Sequence, residues 1–219
     1  MFTGIVQAHL PISTLETHPG LYTIGLPMLP VLGEGLQLGA SVAVDGVCLT
    51  VTRLEGEEAF FDAMQETLQK TTLGQCKLGT YVNVERSMKM GDEIGGHIVS
   101  GHVKHAVEIV DVKTTENNHV VTFQARPEDM PYIFPKGFVA LDGASLTIVD
   151  VDKEKAQFNV WLIPETLKRT TFGHKGVGEF VNIEIDSKTQ AIVDTVEHIL
   201  EDRLNALLKD QLAHILQNK

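Results

Sequence analysis

The chain has 219 residues, 43% of them hydrophobic and 21% charged, and carries a formal net charge of -11 at pH 7. That is an ordinary globular composition, no apolar run reaches the ~18 residues of a membrane span, and so acidic a balance argues against a nucleic-acid partner, which needs a basic surface. The opening Met1-Phe2-Thr3-Gly4-Ile5-Val6 lacks the basic-then-apolar order of a secretory leader, and the two cysteines, Cys48 and Cys76, need not pair in a chain long enough to build ordinary cores. A cytoplasmic location is the expectation.

In chain order, the first part up to about Glu85 reads as short strands separated by turn signals, clearest over Leu21–Leu26, Gln37–Val44, Val47–Leu54, Ala59–Met64 and Tyr81–Arg86. Glu66–Leu73 breaks the alternation and predicts one helical turn, closed by the hydroxyls of Thr71 and Thr72. Periodicity lapses between Arg86 and the Gly95-Gly96 pair, which predicts a hinge. Strands then resume over His97–Val112, His119–Ala125, Gly137–Leu141, Ala144–Val149, Gln157–Ile163 and Phe180–Ile185, with a short helix near Pro127–Ile133. After Asp186 the composition changes. With Ser187 as a plausible cap, Ile192, Val196, Ile199, Leu200, Leu204, Leu207, Leu208, Leu212, Ile215 and Leu216 fall at helical spacing on one long helix or two. A Leu-rich stripe outside the strands predicts burial against another chain.

The strand regions are a duplication. Gly39–Val51, GASVAVDGVCLTV, returns as Gly137–Val149, GFVALDGASLTIV; Glu66-Thr67-Leu68 and Thr71-Thr72-Leu73-Gly74 return as Glu165-Thr166-Leu167 and Thr170-Thr171-Phe172-Gly173. Val82-Asn83-Val84-Glu85 returns as Val181-Asn182-Ile183-Glu184, and Gly4-Ile5-Val6 is echoed by Gly101-His102-Val103, always at an offset of 97 to 99 residues. A period that long indicates tandem domains rather than a solenoid of ~20 to 50-residue repeats. Each Asp-Gly pair, Asp45-Gly46 and Asp142-Gly143, predicts a tight hairpin. The expected domains are residues 1–90, 91–186 and a helical segment 187–219.

Where the repeats differ, they differ in polar residues: Cys48 against Ser145, Ile5 against His102, Gln65 against Pro164, Ser87 against Asp186, and Ser41 against Phe138. Two similar sites with different polar groups suggest two copies of one ligand, treated differently. A metal site is not expected, because His97 and His102 would point to opposite faces of a strand and no Cys or carboxylate stands at zinc spacing. His97 reads as a structural hydrogen-bonding residue beside the glycines, and His102 as the better ligand contact. A hydrolytic triad lacks a G-x-S-x-G elbow. Cys48 stays open between covalent nucleophile and buried small thiol.

Taken together, MFTGIV, the two thirteen-residue blocks, GDEIGGHIVSGH, QETLQKTTLG and PETLKRTTFG closely resemble the riboflavin synthases (alpha chain) over essentially the whole sequence. The resemblance implies an all-β fold of two tandem homologous six-stranded Greek-key barrels, plus a C-terminal α-helix for oligomerisation. It further implies a homotrimer with sites between the N-terminal barrel of one chain and the C-terminal barrel of another, no cofactor, and lumazine synthase as a candidate partner. The implied reaction is dismutation of two 6,7-dimethyl-8-ribityllumazine molecules to riboflavin and 5-amino-6-(ribitylamino)uracil.

Carried over from the family, the N-terminal ligand contacts are Gly4, Ile5, Val6, Cys48, Leu49, Thr50, Asp62, Ala63, Met64, Gln65, Glu66 and Thr67. The C-terminal contacts are Gly101, His102, Val103, Lys136, Ser145, Leu146, Thr147, Trp161, Leu162, Ile163, Pro164, Glu165 and Thr166. Catalysis is expected from His102 with Ser145 and Thr147 on one ring and from Ser41 and Cys48 on the other, with Asp186 assisting proton transfer. Gln65 departs from the proline of the family's PETL, and the tail Leu204–Lys219 is long. Two competing functions are a lumazine protein, a non-enzymatic carrier on the same fold, and an oligonucleotide or sugar-binding barrel.

Overall fold

A computed structural model describes residues 1–28, 30–116 and 118–217. It divides into two compact units, residues 1–185 and 186–219. Within the first unit the chain forms two antiparallel β-repeats. The first repeat contains β1 (Ala8–Pro11), β2 (Thr14–His18), β3 (Leu21–Pro27), the short α1 (Pro30–Gly33), β4 (Ser41–Val44), β5 (Val47–Glu55), β6 (Glu58–Met64), α2 (Gln65–Lys70) and β7 (Tyr81–Arg86). The second contains β8 (His105–Thr114), β9 (His119–Gln124), a 3-10 helix at Pro127–Tyr132, β10 (Phe138–Leu141), β11 (Ala144–Asp152), β12 (Gln157–Leu162), α3 (Pro164–Arg169) and β13 (Phe180–Ile185).

The second repeat is a closed six-stranded barrel in the order β10-β11-β12-β9-β8-β13, and the first is a seven-stranded sheet in the order β1-β7-β4-β5-β6-β3-β2. The two orders are the same once β1 and β2 are seen as halves of one bent strand equivalent to β8. The bend falls at Ile12 and Ser13, where Ile12 N–H donates to Thr80 O (2.9 Å) and Ser13 N–H donates to Gly25 O (3.0 Å). Pro11 just before it has no N–H to give. At the equivalent Ile109, β8 bends through a register shift between Ile109 and Asp111 without losing its ladder. Periodicity does not reveal β1 and β2, because four- and five-residue halves around a proline carry too little alternation.

Each Asp-Gly turn has positive φ at both positions, 44° and 79° for Asp45 and Gly46, 45° and 80° for Asp142 and Gly143, the geometry of a two-residue type I′ hairpin. These two turns meet back to back between the repeats. A Cβ on Gly46 would lie 2.6 Å from Gly143 N, so only glycine fits. Around them the contacts are reciprocal. Asn83 Nδ2 donates to Asp142 O (3.0 Å) and Asn182 Nδ2 to Asp45 O (2.8 Å), while Thr171 N–H donates to Asn83 Oδ1 and Thr72 N–H to Asn182 Oδ1, both at 2.8 Å. Thr72 therefore serves the junction, where its Oγ1 accepts from Asn182 Nδ2 (2.9 Å), and Thr71 alone closes the helical turn by donating to Thr67 O (2.7 Å).

Each repeat has its own apolar core. A third cluster joins them, built from Phe2, Ala43, Val99 and Ala140 with Cys48 packed against it, and Phe2 pairs with Val99 as a bridge. The expected strand from His97 begins only at His105. Residues 97–104 have other partners: Ser100 N–H and Gly101 N–H donate to the two oxygens of Glu184 at 2.6 and 2.9 Å, and Gly101 has φ 84°. Thr3 N–H and Gly4 N–H are held in the same way by Glu85, at 2.7 and 3.1 Å.

The junction is charged asymmetrically. Lys175 Nζ pairs with Asp142 at 2.5 Å, and Cys76 stands at the matching place in the first repeat, 99 residues earlier. Burial, with Asp142 nearby, pushes the Asp45 carboxyl up to about 8, and burial pushes the Cys76 thiol up to about 11. Both cysteines are free thiols.

The second unit is one helix, α4 (Ser187–Gln217). Its cap is Asp186 rather than Ser187: the Asp186 carboxylate accepts from Thr189 N–H (3.0 Å) and Thr189 Oγ1 (2.7 Å). Ile192, Val196, Ile199, Leu200, Leu204, Leu207 and Leu208 are all exposed. The side chains of Leu212, Ile215 and Leu216, also expected on the stripe, lie outside those described. Among the described residues no helix is long and apolar enough to cross a membrane.

Candidate functional site

The strands splay apart at one equivalent place in each repeat. The ladder between β5 and β6 starts at Val51↔Phe61, so among the described residues 47–50 pair with β4 and 62–64 pair with β3 but not with one another. In the second repeat the ladder between β11 and β12 starts at Ile148↔Val160, which leaves 144–147 and 161–162 open towards each other. Backbone groups along such a slot can bind the edge of a flat heterocycle as a neighbouring strand would.

Each slot is bordered by a segment from the other repeat. Ser145 N–H donates to Gly4 O (2.8 Å) and Cys48 N–H to Gly101 O (2.9 Å). Val6 packs into the second core and Val103 against the first. Burying a side chain of this size contributes ~1.5 to 3 kcal/mol, which fixes the crossing. The resulting cavities are twins. One, of about 600 Å³, is lined by Gly4, Ile5, Val6, Ser145, Leu146, Glu165, Thr166, Arg169 and Thr170 among others. The other, of about 360 Å³, is lined by Val47, Cys48, Glu66, Thr67, Lys70, Thr71, Gly101, His102 and Val103.

The expected grouping is thereby corrected. Gly4, Ile5 and Val6 belong with Ser145, Leu146, Glu165 and Thr166, while Gly101, His102 and Val103 belong with Cys48, Glu66 and Thr67. His102 lies across from Cys48 and not from Ser145. Aligning the repeats identifies equivalent positions but not the core on which each opening segment packs. Only the packing of Val6 and Val103 and the Ser145–Gly4 and Cys48–Gly101 backbone bonds reveal that.

The remaining site residues sort by burial. Leu49, Ala63 and Leu162 face the cores, so only their backbone can meet a ligand. Thr50, Met64, Gln65, Thr147, Trp161, Ile163 and Pro164 are exposed along the slots. Asp62 accepts from Thr23 Oγ1 (2.7 Å), and Ser41 pairs with Thr50 in the ladder. Lys136 occupies a turn at φ 68° with its N–H donating to Ile148 O (2.8 Å). Asp186 caps α4 as described. At the rims, Lys70 pairs with Glu66 (2.6 Å) and Arg169 with Glu165 (2.7 Å). The hydrogen bond from each cation holds its carboxyl below the usual range.

His97 is a hydrogen-bonding residue beside the glycines, as expected, and its partner is Ser145. It is buried, its Nδ1 lies 2.6 Å from Ser145 Oγ, and its ring stacks on Phe138 with centroids 5.2 Å apart. Among the described residues no group of three or more His, Cys, Asp or Glu converges to hold a metal ion.

Two β-repeats with twin slots define a tandem lumazine-binding architecture, and the profile of the lumazine binding domain matches residues 3–87 and again 100–186. The chain is 48% identical to the riboflavin synthase of Escherichia coli (strain K12) over 208 residues, covering 94% of this chain and 97% of that protein. It is 48% identical to the riboflavin synthase of Chlamydia pneumoniae over 200 residues, covering 91% and 97%. The chain belongs to the riboflavin synthase family. Its fold also matches crystal structures of LumP, one complexed with flavin mononucleotide and one with 6,7-dimethyl-8-(1'-D-ribityl) lumazine. In both the TM-score is 0.76 at 22% identity, over 84% of this chain and 99% of that one.

Proposed function

We propose that this chain is a riboflavin synthase: it converts two molecules of 6,7-dimethyl-8-ribityllumazine into one riboflavin and one 5-amino-6-(ribitylamino)uracil by moving a four-carbon unit from one to the other. The observation that carries this reading is the pair of twin cavities with a shared backbone frame and different polar side chains, Ser145 in one and Cys48 with His102 in the other. A dismutation needs such a pair, because one copy of the substrate gives and the other receives. The substrate's electron-poor ring stabilises the anion formed when its 7-methyl group loses a proton. The protein's main task is then to hold two rings face to face, and proximity of this kind lowers a barrier by ~7 to 11 kcal/mol.

In this reading the open strand edges at Cys48–Thr50 with Asp62–Met64, and at Ser145–Thr147 with Trp161–Ile163, bind the ring edges. Thr67 and Thr166 take ribityl hydroxyls, and Lys136 stands at the second slot. His102, exposed beside Cys48 in that cavity, moves the proton on the Cys48 side, assisted by Ser41. The exposed apolar residues of α4 support a homotrimer, with each complete site formed by the Cys48 cavity of one chain and the Ser145 cavity of the next. The enzyme works in the cytoplasm, with lumazine synthase as the partner to test by co-sedimentation. Ser145→Ala and His102→Gln should each lower turnover by about tenfold or more without changing the association state. Native rates in both variants would remove this site assignment.

A further inference from the structure

Ser145 is enclosed on a side where the first repeat offers Cys48 no equivalent. A Cβ on Gly96 would lie 2.6 Å from Ser145 Cβ and 2.8 Å from its Oγ, so the segment Gly96-His97 lies directly on the serine only because residue 96 is glycine. His97, 8% exposed, then brings Nδ1 to 2.6 Å from Ser145 Oγ. Its ring is supported by Phe138, nearly parallel at 19°. In the first repeat Ser41 replaces the Phe138 ring and Cys48 replaces the hydroxyl. A thiol is a weak hydrogen-bond partner and a serine side chain offers no surface to stack on, so the arrangement has no twin there. Two of the repeats' few differences, 41 against 138 and 48 against 145, thus converge on one imidazole.

We propose that His97 is a positioning residue for the reaction: stacked on Phe138, it fixes the Ser145 hydroxyl through Nδ1 and so sets the direction in which Oγ meets the lumazine in that cavity. A free hydroxyl has three staggered orientations, and this bond selects one. The Ser145 cavity therefore presents a fixed polar atom to one ring, and the Cys48 cavity presents a softer, unfixed one to the other. That difference assigns the two copies of one substrate to unlike roles. The proposal rests on the placement of Ser145 at the site, given above.

The test compares kcat and KM for 6,7-dimethyl-8-ribityllumazine in the full-length protein and its His97→Phe, His97→Asn, Ser145→Ala and His97→Phe/Ser145→Ala variants, with the thermal midpoint of each. His97→Phe keeps a ring on Phe138 and removes the bond, whereas His97→Asn restores an amide near the Nδ1 position. Loss of orientation at a reacting centre predicts that His97→Phe lowers kcat about 10- to 100-fold with KM within about threefold, and that His97→Asn recovers most of the rate. The double variant should be no slower than Ser145→Ala alone, because the histidine acts only through the serine. Rate losses that multiply in the double variant, or a native kcat in His97→Phe, would overturn the proposal. Should His97→Phe not fold, His97→Gln, whose amide reaches past the Nδ1 position, takes its place in the same cycle. A native rate in Ser145→Ala would instead overturn the site assignment itself, and this proposal with it.

Discussion

Replacing Asn182 by alanine tests whether the two repeats are held by side-chain amides or only by apolar contact. Asn182 is 1% exposed. Its side chain donates to Asp45 O (2.8 Å) and Thr72 Oγ1 (2.9 Å) and accepts from Thr72 N–H (2.8 Å), all three across the junction. Alanine leaves those partners unsatisfied, at ~1 to 3 kcal/mol for each buried group. Thr72 is only partly buried, so the total is about 4 kcal/mol, or a fall of roughly 8 to 16 °C in thermal midpoint for a unit of this size. Asn83→Ala removes two such bonds, to Asp142 O and from Thr171 N–H, both with buried residues, so it should cost a comparable ~2 to 6 kcal/mol by the same reasoning. Thermal unfolding of both variants at one pH, followed by circular dichroism, gives the comparison. Midpoints within about 2 °C of the native protein in either variant would refute this account of the junction.

Asp45 predicts a pH effect of definite sign. Because burial raises its carboxyl in the folded state to about 8, its contribution to stability is complete below the unfolded value and is lost as pH rises through about 8. Asp45→Asn should therefore leave the midpoint nearly unchanged only below pH about 4 and raise it increasingly from there up to pH about 8; unfolding scans across that range that run parallel for the two proteins would contradict this. Asp129 acts oppositely: despite burial, hydrogen bonds from His105 and Lys104 hold its carboxyl low, so its contribution is lost only as pH falls. Glu85→Ala releases Thr3 and Gly4, the second of which lines the Ser145 cavity, and should lower kcat/KM about tenfold or more, although Glu85 belongs to the first repeat. A variant with native kinetics would sever that link. Truncation after Asp186 should yield monomers by sedimentation, and a truncated trimer would exclude α4 as the trimer contact.

Much of this arrangement was legible because the chain carries the same fold twice. The Asp-Gly hairpins, the short helix after β6 and most strands other than β1 and β2 follow from turn chemistry and alternation, which are local. What escaped was non-local. Asn83 and Asn182 look like ordinary strand residues, yet their amides bind the opposite repeat. Val6 and Val103 were recognised as equivalents but not as crossing over, since alternation does not say which core a side chain enters. The hydrogen-bonding role of His97 is legible beside the glycines, but its partner Ser145 is not, because the loop that lays Gly96 on Ser145 leaves no periodic signal.

The most direct test of the central claim is to give the purified protein 6,7-dimethyl-8-ribityllumazine with no metal or cofactor added and to follow riboflavin absorbance together with loss of the lumazine. The account predicts steady turnover with one riboflavin formed for every two lumazines consumed. Tight binding with enhanced fluorescence and no riboflavin would contradict it and make the chain a carrier built on the same two slots.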